Sequence, residues 1–77
     1  MITNKNYNMK VILQDWERQN TNYDLDEKIL SLNLQKGDQI DHLFEGRDHS
    51  NVINFIISHK EVKLHEDTII FHCSRIR

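Results

Sequence analysis

The residues best suited to chemistry crowd into the last twenty positions, SHKEVKLHEDTIIFHCSRIR. His59, His65, His72 and Cys73 lie there, followed by Arg75 and Arg77. With His42 and His49 the chain carries five histidines, and Cys73 is its single cysteine. Such a set suits three chemistries: metal binding, acid–base work on a phosphodiester, and thiol attack. Each demands a spacing or an environment that the sequence can be checked for.

Zinc sites are built from close ligand pairs such as Cys-X2–4-Cys or His-X3–5-His. Only His59 and His65 come that close, as His-X5-His, and no second close pair accompanies them to complete a site. His72 and Cys73 are adjacent, and adjacent side chains of a strand point to opposite faces. No metal site is therefore expected. A calcium loop fares no better. NTNYDLDEKILS sets Asn20, Asn22, Asp24 and Asp26 at alternate positions, but Leu25 stands where the turn needs Gly and Ser31 where a bidentate Glu is needed.

Catalysis has few footholds. Gly37 and Gly46 are the only glycines, too few for a phosphate-cradling loop. Asp48, His49 and Ser50 spell a triad in letters, but a triad is chained in space and not along the sequence. Cys73 shares a strand face with Ile69 and Phe71, where burial raises a thiol pKa and silences it. One enzyme class needs no motif. A small metal-independent ribonuclease would use His72 and His65 as acid and base, with Arg75 and Arg77 on the phosphate. The acidic balance of the chain, net charge −2, speaks against it.

The elements that must position these groups read as follows. Residues 1–8 are polar and aperiodic, a flexible N-terminal tail. MKVILQDW (9–16) is a strand. Residues 17–27, rich in Asn and Asp, are a loop. In 28–35, Leu30, Leu32 and Leu34 alternate with polar residues, the pattern of a half-buried strand. KGD (36–38) is a turn. Residues 38–45 fit two patterns. As a strand, Ile40, His42 and Phe44 share a face and pair back onto 28–35. As a helix, Asp38 caps one end, Gly46 closes the other, and Ile40, Leu43 and Phe44 form a stripe. The helix is preferred. Residues 50–61 are expected as a second helix, capped by Ser50, with Val52, Ile53, Ile56 and Ile57 on one side. Residues 68–76 are a strand. The expected fold is thus α+β: a small, mainly antiparallel three-stranded sheet with one or two short helices on one face, spanning residues 9–77 as one domain.

On that helix, Asp38, Asp41, Glu45 and Asp48 fall within about 80° of one another. Such a row resembles the phosphates of a nucleic-acid strand and would suit a basic groove on another protein. Asp24, Asp26 and Glu27 extend the acidic surface. Trp16 is a candidate interface anchor, and Arg75 and Arg77 are candidate contacts to an acidic or phosphate group.

Seventy-seven residues without a disulfide make a marginal core. A lone cysteine fits a reducing, cytoplasmic compartment. No stretch reads as a signal peptide or a membrane span. Alanine and proline are absent while Ile occurs ten times and Asn eight, a usage that AT-rich codons produce. From this we expect a viral or mobile-element accessory protein. It would bind, without cofactor, a host protein of the nucleic-acid machinery and inhibit it. Direct nucleic-acid binding is not expected of so acidic a chain. A structural subunit of a larger assembly is a third possibility. Strand 68–76 is apolar on both faces, so as a sheet edge it would make a homodimer through Ile70 and Phe71.

The spacing of the histidines generates a first prediction. The purified protein should contain no stoichiometric zinc, and a chelator should leave its melting temperature in place. One zinc per chain by elemental analysis would refute this.

Overall fold

The structure, a computed structural model, describes residues 9–76. Five strands form one curled sheet: β1 (Lys10–Asp15), β2 (Thr21–Leu25), β3 (Gln39–Glu45), β4 (Ser50–Lys63) and β5 (Thr68–Arg75). Their order across the sheet is β2-β1-β5-β4-β3. All neighbours are antiparallel except β1 and β5, which run parallel at the centre. Three short 3-10 turns, Trp16–Arg18, Glu27–Leu32 and Leu64–Glu66, are the only helical segments among the described residues. No helix there is long and apolar enough to cross a membrane. The proposed tail, residues 1–8, and Arg77 lie outside the described residues.

The core fills the concave side. Val11, Leu13, Phe55, Ile57, Phe71 and Cys73 are buried there. Registered pairs explain how they meet: Leu13 lies beside Phe71, and Ile57 beside Cys73. The curl is strong enough for the two outer strands to face each other. The Tyr23 ring of β2 meets the Phe44 ring of β3 edge-on at 4.8 Å and the His42 ring at 5.7 Å. Among the described residues the order of the strands leaves β2 and β3 as edges, a barrel-like sheet open along one seam.

Several expectations are corrected. The α+β, three-stranded reading gives way to a mostly β fold with a five-stranded mixed sheet. Residues 38–45 are not helical. They form β3, and Ile40, His42 and Phe44 share its half-buried face. β3 pairs with β4, Ile40 opposite Phe55, and not with 28–35. Residues 50–61 are the body of β4. The stripe Val52, Ile53, Ile56, Ile57 imitates a helix, but Ile53, Phe55 and Ile57 also alternate, and β-branched side chains favour the strand. Conversely, 28–35 is not a strand. Asp26 accepts a hydrogen bond from the Lys28 backbone N–H, and Asn33 ends the turn at φ 52°, so Glu27–Leu32 coils into 3-10 geometry. Ile29, Leu30 and Leu34 still reach the core while Leu32 is exposed. The presumed loop 17–27 contains β2. Gln19 and Asn20 take positive φ in the connection that joins it to β1. β5 is no edge: it lies between β1 and β4, with Ile70 and Phe71 buried, so that strand offers no dimer surface.

Strands 9–16 and 68–76 and the turn at Gly37, where φ is +94°, stand as expected. One irregularity matters for the surface. The β4–β5 register slips between Ile57 and His59. A bulge of this kind reverses which side chains face inward. Before it, Ile53, Phe55 and Ile57 point to the core. After it, His59 pairs with His72 and Glu61 with Ile70 on the convex side.

The packing implies a contrast in cost. Phe71→Ala should lose about 3–5 kcal/mol, a large share of the stability of so small a domain. Leu64, 79% exposed, should tolerate Ala within about 0.5 kcal/mol. Urea unfolding of both variants measures the difference, and equal costs would contradict a concave core.

Candidate functional site

Chemistry-bearing side chains gather in three places. The first is on the convex face around His72. Its Nε2 lies 2.8 Å from Glu61 Oε1, and its Nδ1 lies 2.7 Å from Gln14 Oε1 and 3.2 Å from Trp16 Nε1. A neutral ring donates from Nε2 to Glu61 and accepts at Nδ1 from the indole N–H. A charged ring donates from both nitrogens, to Glu61 and Gln14, while Trp16 donates to Gln14 at 3.1 Å. Gln14 is itself held by a bond from its Nε2 to Asn22 Oδ1. His59 flanks the ring at 5.3 Å and Trp16 at 5.8 Å. Both nitrogens of His72 are thus engaged inside the protein, which leaves neither free to take a proton from a substrate.

The second place is one end of the concave side. Asp15 is fully buried, and its Oδ2 accepts from Arg75 Nε at 3.0 Å and Nη2 at 2.9 Å. Its Oδ1 accepts from the Glu17 N–H, and Glu17 Oε2 accepts from the Arg75 N–H. The guanidinium also lies 5.9 Å above the Phe55 ring. Arg75 is therefore tied into the fold and neutralised by Asp15. Burial, with the Asp15 charge adding to it, pushes the Cys73 thiol up to about 12. A thiol that stays protonated at neutral pH is inert.

The third place is the open seam. A groove of about 530 Å³ runs beside β3. Leu25, Ile29, Leu32 and Leu34 form one wall. The other is made by the start of β3, with Ile40 from its inner side and Gln39 and Asp41 from its outer side, and by Asn54 of β4, the partner of Asp41. Residues from both sides of β3 line it, so the groove reaches round that strand at its start. Asp24, Asp26 and Glu27 flank Leu25 in sequence and are exposed. Asp38 holds the neighbouring turn by accepting from the Gln35 N–H. Of these carboxylates Asp41 lines the groove, while Asp24, Asp26 and Asp38 are chain neighbours of its lining residues Leu25 and Gln39.

The sequence-derived site residues are redistributed accordingly. Asp38, Asp41, Glu45 and Asp48 do not form one helical row, because no helix exists there. Asp41 and Glu45 still share a face, the exposed outer side of β3, with Leu43 between them. Asp48 lies in the β3–β4 turn. Asp24, Asp26 and Glu27 are exposed at the end of β2 and the start of the turn that follows it. Trp16 is half-exposed and bonded within the His72 cluster. His72 and Arg75 lie on opposite faces of β5, and His65 sits in the Leu64–Glu66 turn, so the ribonuclease set is not assembled. Arg77 is outside the described residues, among which no group of three or more His, Cys, Asp or Glu could hold a metal. Asp15, Gln14 and Glu61 were not singled out from the sequence. Only the strand pairing and the bulge bring them to their partners.

Comparison with protein-family models, with curated proteins and with solved structures finds no match. The arrangement of side chains alone must carry a functional reading.

The His72 cluster has a measurable signature. The hydrogen bond from His72 holds the Glu61 carboxyl below its ordinary value of 4.5, with Lys63 and the two histidines contributing. A depressed acid stabilises the fold above its unfolded pKa, and this is lost as pH falls through the folded value. Stability should therefore drop below about pH 4.5 more steeply in the native chain than in Glu61→Gln. Urea unfolding across pH 2.5–6 checks it, and superimposable profiles would refute it.

Proposed function

We propose that this chain is a non-catalytic binding module that grips a basic partner protein through the acidic groove at its open seam. One observation carries the proposal: an aliphatic groove beside β3 that Asp41 lines, with Asp24, Asp26, Glu27 and Asp38 close in sequence to its other lining residues. Apolar walls supply an anchor, and the carboxylates select and steer a positively charged partner. Proteins that handle nucleic acid commonly present such basic surfaces. In the fuller form of the proposal, a viral or mobile-element accessory protein occupies one of them in the host cytoplasm and inhibits it. The inert, buried Cys73 suits a reducing compartment.

Two variants and a salt series test this. A tagged chain should capture one stoichiometric partner from host lysate. Asp41→Lys together with Leu32→Asp should abolish capture while the melting temperature holds, since both side chains are exposed. Association should slow as salt rises, because exposed charges are screened beyond ~8–10 Å at physiological ionic strength. Undiminished capture by the double variant would overturn the proposal. So would RNA cleavage by the protein alone that disappears in His72→Ala.

A further inference from the structure

We infer that β3 is a docking strand: its free edge takes up an extended segment of the partner, in which basic and aliphatic residues alternate. This rests on the acidic-groove proposal and specifies how the partner is held.

The backbone supplies the first part of the argument. Among the described residues β3 pairs with β4 on one side only, so there one row of its N–H and C=O groups has no strand partner. The β3–β4 turn fixes which row. Gly46 donates to the His49 carbonyl, and Asp38 accepts from Ile57, so the even-numbered residues of β3 bond inward to β4. In an antiparallel ladder the alternate residues bond the other way. The free row therefore belongs to Gln39, Asp41, Leu43 and Glu45. β2 does not fill it. The two edges touch through the Tyr23, His42 and Phe44 rings, and the groove opens beside Gln39 and Asp41.

The side chains supply the second part. A strand added to β3 places its residues beside those of β3, alternately on the two faces. On the outer face it would meet Asp41, Leu43 and Glu45. Leu43 is 49% exposed and its β4 neighbour Val52 is 59% exposed, an apolar pair between two carboxylates. The complementary row reads basic, aliphatic, basic. On the inner face, the residue beside Ile40 enters the groove and must be aliphatic. Main-chain bonds would then supply affinity and these alternating positions specificity.

A second copy of this chain does not fit the edge. Antiparallel pairing of β3 with itself about Leu43 would set Asp41 opposite Glu45 twice, and like charges directly opposite destabilise a sheet. β2, the other edge, presents Asn22 and Asp24 and offers no positive charge either. A basic segment from another protein satisfies every position.

The test uses the full chain and a capped synthetic peptide, Lys-Thr-Val-Thr-Lys-Val-Thr, with the same peptide N-methylated at alternate residues and a scrambled peptide of equal composition. Amide exchange is followed by NMR. The first peptide should bind and slow exchange at Gln39, Asp41 and Leu43, and the methylated one should lose binding. Leu43→Asp, an exposed change that spares the core, should weaken the first peptide. Binding of the alternating peptide with unchanged exchange at those three amides would overturn strand addition and leave the groove proposal standing. Failure of both the alternating and the scrambled peptides to bind would overturn the two together.

Discussion

The whole arrangement depends on β1 lying parallel to β5. This ladder joins an N-terminal hairpin, β1–β2, to a C-terminal meander, β3–β4–β5. Neither half closes a core alone: Leu13 needs Phe71, and Val11 needs Ile69. The same pairing places Asp15 beside the strand that carries Arg75, and Gln14 beside His72. Gln14 and His72 are 58 positions apart, so almost the whole chain must be ordered before they meet. Pairings this distant close late and slowly, because loop entropy opposes them until the packing is complete.

What was legible in the sequence follows from how local each signal is. β1, β5 and the Gly37 turn are announced by short-range features: β-branched runs and a glycine at positive φ. The two faces of β5 were also legible, because a central strand with no bulge keeps strict alternation. β4 was not, because its bulge breaks the period of two and its Ile pairs also fit a helix. Glu27–Leu32 failed in the opposite sense. Its alternating leucines imitate a strand, but the Asp26 cap and the left-handed Asn33 decide the local backbone. The edge status of β3 and the burial of β5 are properties of strand order, and no window of sequence records them.

The candidate site was legible in its charge and not in its shape. Asp41 and Glu45 lie four apart, a spacing that aligns residues on a helix and also keeps them on one face of a strand. Their common exposure survives the change of secondary structure. The cluster Asp24, Asp26, Glu27 lies at the end of β2 and in the turn after it, a placement that no spacing in the sequence records. The histidines mislead for a related reason. Their clustering in sequence suggests one site, while the structure sends His42 inward, His59 and His72 to the convex face, and His65 to a turn. Of these, His72 is the most thoroughly bonded, and it holds β1, β4 and β5 together by their polar edges.

The parallel central ladder also has a mechanical meaning. In a parallel pair, the start of one strand and the end of the other lie at opposite ends of the ladder. A force drawing Lys10 and Arg75 apart would slide β1 along β5, loading its six registered pairs together instead of peeling them one by one. Resistance to such sliding is governed by the unfolding rate and not by equilibrium stability. A small domain with a thin core can therefore withstand being pulled from its two ends, as by an unfolding motor, better than its modest size would suggest.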